Sequence, residues 1–124
     1  MYKRQLQDEV GADNLKILMD MIYVHLTGVN PGEIRTADPG RFGIIHLCDW
    51  PSDPAGRETV EIVRGGRVYC GEGAADLKGF LEALPENVCA IELPNLRELE
   101  LRGQAGHARR CLETAKEYFA SNGL

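Results

Sequence analysis

Three side chains of metal-ligand type, Asp20, His46 and Glu92, each sit at or near the end of a short apolar run: LKILMD (15–20), FGIIHLCD (42–49) and VCAIEL (88–93). If the runs are parallel strands, their carboxyl ends are where binding groups collect in an α/β sheet. Strand alternation puts Leu18 on the face of Asp20, Ile44 on that of His46 and Ala90 on that of Glu92. Each polar group therefore caps an apolar face expected to point into packed structure, where an unpaired carboxylate is costly. Two carboxylates and one imidazole suit a divalent ion such as Mn²⁺, Mg²⁺, Co²⁺ or Zn²⁺. Three unrelated polar strand ends facing solvent are the competing reading.

The elements that must position these groups alternate. After the first run, MIYVHLTG offers a helical turn or two. NPGEIR predicts a short helix, with Asn30 as N-cap, Pro31 at the first helical position and Glu33 as the reciprocal cap. Asp38-Pro39-Gly40 forces a turn. A long polar loop, PSDPAGRETVEIVRGGRVYCGEGAA, follows the second run, and long loops in compact domains tend to be functional or disordered. DLKGFLEAL (76–84) spaces Leu77, Phe80, Leu81 and Leu84 as a helix, and Pro85 stops it. PNLRELELRGQ reads as a second irregular segment with room for a helical turn. AGHARRCLETAKEYFASNG predicts the final helix, with an apolar stripe of Ala108, Cys111, Leu112, Ala115, Tyr118 and Phe119, and Gly123 as its stop. The order strand, helix, strand, helix, strand, helix implies right-handed crossovers and a parallel sheet, so the fold class is α/β.

The 124 residues suffice for one domain. A net charge of −5 argues against a protein that coats nucleic acid, which needs a cationic footprint. No apolar run is long enough for a membrane span and no export signal is visible. Cys48, Cys70, Cys89 and Cys111 form no CxxC pair, so four reduced thiols in a cytoplasmic protein are expected.

Taken together, HLCDWPSDPAGRE, RVYCGEGAADLKGFLEALPE and AIELPN resemble the last part of the xylose-isomerase-like TIM barrels, the sugar phosphate isomerases and epimerases. The resemblance covers nearly the whole chain from about residue 10: an Asp-containing sixth strand, His-x-x-Asp on the seventh, a Gly-acid-Gly loop, and Ile-Glu on the eighth. It implies that residues 1–124 are the C-terminal three βα units, strands six to eight, of an incomplete barrel. It further implies that Asp20, His46 and Glu92 are metal ligands, and that Glu92 is also a catalytic acid/base moving a proton through a metal-stabilised enediolate. The family's first ligand glutamate, on the fifth strand, has no counterpart here, so the chain alone is expected to be inactive. Tyr23 stands where the family often carries a substrate histidine, with His25 two residues on, and Cys70 replaces a usual proline before the Gly-acid-Gly loop. The implied partner is a sugar or sugar phosphate.

Around this site Trp50 could form an apolar wall, and Arg57 or Arg67 could supply the substrate arginine the family places in this loop; Arg64 is a further candidate. Packing on the loop and a solvated charged loop are the respective alternatives. Gly71-Glu72-Gly73 lacks dinucleotide spacing and implies no nucleotide cofactor. Asp49 is expected to orient His46 or the loops, and His107 to face solvent. Two rival functions remain: an endonuclease-four-like apurinic-site nuclease, which needs three zinc ions and further histidines beyond the three present, and a degenerate ligand-binding barrel.

The opening MYKRQ matches a conceptual translation of GTG-TAT-AAG-AGA-CAG, which resembles a transposon end used in sequencing libraries with GTG read as the start; a natural N-terminal pentapeptide is the alternative. On that reading residues 1–5 are artefactual and the chain is a metagenomic reading frame truncated upstream. Three βα units leave an open sheet and an unfilled barrel interior, which favours self-association through the edges.

Overall fold

In a computed structural model the described residues are 2–124, with side chains from Gln5 onward; Met1, part of the suspect pentapeptide, lies outside them. Three strands, β1 (Ile17–Asp20), β2 (Phe42–Leu47) and β3 (Val88–Ile91), form one parallel sheet in the order β1-β2-β3. The helices are α1 (Tyr2–Val10), α2 (Met21–Thr27), α3 (Pro31–Arg35), α4 (Thr59–Gly65), α5 (Leu77–Ala83) and α6 (Leu96–Asn122), with a 3-10 turn at Pro39–Arg41.

Local chemistry sets many boundaries. Asn30 and Glu33 cap α3 reciprocally and Pro31 opens it, as the sequence predicts. Asp38 accepts from Gly40 N–H and makes the expected turn a 3-10 turn. Asp76 accepts from Gly79 N–H and starts α5, and Gly123 ends α6 in the left-handed region.

Two segments differ from expectation. The long loop after β2 contains α4, whose start is held by Glu58 N–H donating to the Glu61 side chain at 3.0 Å. Its β-branched Val60, Ile62 and Val63 weaken the helical signal, and only Ile62 is buried. The segment before the last helix, expected to be irregular with at most a helical turn, is helical from Leu96 onward. Asn95 caps it by accepting from Glu98 N–H, and α6 runs to a kink at Gly103, whose φ is positive and whose ψ is extended. The kink separates the leucine-rich start from the predicted final helix.

The sheet is covered on one face only. Met19, Ile45 and Leu47 point into the core with Ile22, Ile62, Leu77, Phe80 and Leu81. α3 and α5 pack so closely that a Cβ on Gly79 would lie 2.6 Å from Pro31 Cγ. On the opposite face Leu18, Ile44 and Val88 stand in one register row and are 40%, 38% and 65% exposed. The apolar face beneath the three polar strand ends is thus open in this chain rather than packed, because the described residues supply no second layer there.

Of the predicted α6 stripe, Cys111 and Ala115 are buried, Tyr118 and Phe119 are half-buried, and Ala108 and Leu112 are exposed. All four cysteines are free. No helix among the described residues is long and apolar enough to cross a membrane.

Candidate metal centre

Parallel register brings the three polar strand ends to one end of the sheet. Asp20 pairs with His46 across β1 and β2, and His46 with Ala90 across β2 and β3. Glu92 continues the ladder beyond β3, its N–H donating to Leu47 O at 3.1 Å. One ligand atom each from Asp20, His46 and Glu92 lies within 4.8 Å of the others. His46 Nδ1 and Glu92 Oε2 are in direct hydrogen-bond contact. The site opens outward: side-chain exposure rises from 10% at Asp20 to 26% at His46 and 45% at Glu92.

This set fits a divalent ion. Ligands each about 2.1 Å from one ion stand about 4.2 Å apart at most, so small side-chain adjustments would close the cluster around it. Asp20 Oδ1 caps α2 through Ile22 N–H at 3.1 Å, which ties one ligand to the start of the next helix.

Arg67 reaches this site from below. Its side chain is 5% exposed, and Nη1 lies 3.2 and 3.3 Å from the two Asp20 oxygens, 3.1 Å from Glu92 O and 3.5 Å from Cys48 Sγ. Nε donates to Val63 O at 3.1 Å. Burial works against the Arg67 charge, but the neighbouring Cys48, Asp20 and Glu92 outweigh it, so the guanidinium stays protonated. Burial likewise pushes the Cys48 thiol up to about 11 and keeps it neutral near pH 7. Sequence reasoning missed Cys48, although its position two residues after His46 puts it on the same side of the chain.

Asp49 organises the loop. It is 1% exposed, and its carboxylate accepts from the backbone N–H of Trp50, Gly71, Gly73 and Ala75 at 2.8–3.1 Å. Burial pushes the carboxyl up from its ordinary value, and the four N–H donors oppose that shift. The Gly71-Glu72-Gly73 turn therefore wraps this carboxylate. Gly71 has a positive φ, which suits a residue without a Cβ. A Cβ on Gly73 would stand 2.1 Å from Trp50 O.

The other candidates are placed differently. Trp50 is 9% exposed and stacks on His25 with ring centroids 5.5 Å apart. Tyr23 lies on α2, 53% exposed. Arg57 donates to Asp53 O at 2.9 Å and, with Arg64, lines a groove of about 850 Å³ between α4 and the start of α6. His107 does not face solvent freely: it is half-buried, with Nδ1 2.9 Å from Tyr69 Oη and Nε2 3.0 Å from Leu93 O, and so ties α6 to the segment after β3.

The arrangement of three parallel strands and their helices recurs in solved structures. Over 95% of this chain, 42% of theirs and with 26% identity, the fold superposes at TM-score 0.77 on the IOLI protein with a binding zinc atom. A xylose isomerase domain protein from Alicyclobacillus acidocaldarius matches at TM-score 0.71 over 98% of this chain and 43% of its own, with 20% identity. By fold and by sequence the chain is part of a xylose-isomerase-like α/β barrel.

Among curated proteins it is similar to the inosose isomerases of Bacillus velezensis, 33% identical over 112 residues, and of Bacillus subtilis, 30% identical over 117. The matches take in 87% and 91% of this chain but only 37% and 39% of those proteins. No family model matches the chain.

Proposed function

We propose that this chain is part of a divalent-metal-dependent isomerase or epimerase acting on a sugar, a sugar phosphate or a related polyol ketone of the inosose type. The observation that carries the reading is the convergence of Asp20, His46 and Glu92 at the carboxyl ends of three parallel strands. The name of the inosose isomerases and the zinc bound by the IOLI protein support it.

In this reading Asp20, His46 and Glu92 hold the ion. It would supply Lewis-acid polarisation of adjacent carbonyl and hydroxyl oxygens, which favours proton transfer by an enediolate route. Glu92, the most exposed of the three, is the carboxylate placed to exchange a proton with the substrate carbon. The contact between His46 Nδ1 and that carboxylate puts two ligand groups side by side, and Asp20 is anchored through the α2 cap. Tyr23 is the candidate polar contact for substrate, and Trp50, backed by His25, the candidate apolar wall.

Isothermal titration of the chain with Zn²⁺, Mn²⁺ and Co²⁺ tests the reading. One ion per chain is expected, lost in Asp20→Ala and in His46→Ala. Binding that survives both substitutions would sink the metal reading and favour a degenerate ligand-binding barrel, while three zinc ions per chain would favour the nuclease.

A further inference from the structure

Arg67 is the one charged side chain that touches all three strand ends among the described residues, and the sequence singles it out only as a substrate arginine. Its guanidinium is buried instead against the site's own residues. Nη1 meets Asp20 at the end of β1, Cys48 after β2 and the main-chain carbonyl of Glu92 after β3. Nε is fixed to Val63 O at the end of α4. The backbone of Arg67 is itself pinned: its N–H donates to Pro94 O at 3.3 Å, and its carbonyl accepts from Asn95 Nδ2 at 2.8 Å. A planar guanidinium held at both ends makes a rigid strut.

The strut bears on Asp20 asymmetrically. Oδ1 takes Ile22 N–H, Arg67 and the more distant Cys48 thiol, whereas Oδ2 has the longer Arg67 contact. Oδ2 is thus the oxygen left for an ion, with the carboxylate plane fixed by the other. The same guanidinium holds the Glu92 main-chain carbonyl at 3.1 Å and also lies 3.6 Å from Oε2 of the Glu92 carboxylate, so it bears on both carboxylates of the site.

We propose that Arg67 is the positioning residue of the metal centre, holding Asp20 and the Glu92 backbone so that their carboxylates meet the ion together with His46. The proposal rests on the metal reading above. It also opposes electrostatic intuition, since a cation beside a cation site repels the ion. The sign of the effect therefore decides between positioning and simple repulsion.

Co²⁺ titration of the 124-residue chain, followed by visible d–d absorption, tests the proposal with the parent, Arg67→Met and Arg67→Lys. Hydrogen-bonded partners behind metal ligands commonly change affinity by about 10–100-fold. Arg67→Met is expected to lose affinity on that scale and to change the Co²⁺ spectrum. Arg67→Lys, which keeps the charge but not the fork, is expected to recover only part of the affinity. Metal-free far-UV circular dichroism identifies any variant that fails to fold; if Arg67→Met unfolds, Arg67→Lys decides. A folded Arg67→Met that binds Co²⁺ as tightly as the parent or more tightly, or a folded Arg67→Lys with parental affinity and spectrum, overturns the proposal. A parent chain that binds no Co²⁺ overturns the metal reading and this role with it, whereas a binding parent with unaffected variants overturns this role alone.

Discussion

At the scale of single residues, the buried carboxylate of Asp49 holds the loop beside the site through four backbone N–H groups. Asp49→Asn keeps the shape but removes the charge and points an amide donor at backbone donors. Hydrogen bonds to charged groups and unsatisfied buried donors each carry about 1–3 kcal/mol, so a loss of about 2–3 kcal/mol is expected. Urea unfolding would read this as a lower midpoint at unchanged slope. The sequence shows Asp49 as an acid after a strand, but not which backbone groups it would meet. Those partners lie 22 to 26 residues away for Gly71, Gly73 and Ala75, a separation no local pattern encodes.

At the scale of elements, the Gly-acid-Gly turn and the start of α6 carry the geometry. Gly73→Ala would drive its methyl into Trp50 O and the Asp49 carboxylate at distances no rotamer can relieve. Overpacking of this kind is expected to destabilise by about 1–3 kcal/mol. Gly56→Ala provides the contrast, because Gly56 has a positive φ and a Cβ there would meet nothing within 4 Å. It should cost only the left-handed backbone strain, about 1–2 kcal/mol. Differential scanning calorimetry of the two variants would separate contact from conformation. Asn95→Ala removes both the α6 cap and the bond to Arg67 O. Loss of a cap costs about 0.5–2 kcal/mol, and the upper end of that range is expected by the same measurement. The bounds of α3 and α5 were legible in sequence because capping and helical spacing are local. α4 and the first turns of α6 were not, since β-branched residues and an internal Gly103 blur a helical signal that tertiary contacts restore.

At the scale of the molecule, a three-stranded sheet covered on one face leaves Leu18, Ile44 and Val88 in an exposed row, and among the described residues β1 and β3 each pair on one side only. The chain spans 37% and 39% of its inosose isomerase relatives, and in a complete barrel such a face lines the packed interior. The chain studied by itself is expected to self-associate through this face and its edges. Light scattering after size-exclusion chromatography should show a mass above the monomer that falls for Ile44→Lys. A monomer that melts cooperatively at all concentrations would contradict this.

The sequence by itself determined the alternation of strands and helices, the strand ends at which Asp20, His46 and Glu92 emerge, and their suitability as ligands. These follow from periodicity and capping within a few residues. Only the tertiary structure decided that their ligand atoms converge within 4.8 Å and that Asp49 gathers a turn. It also turned Arg67 inward onto Asp20, a partner 47 residues away. Convergence of this kind depends on strand register and on crossovers that fold distant segments together. A chain can encode such contacts only through the packing of all its elements at once.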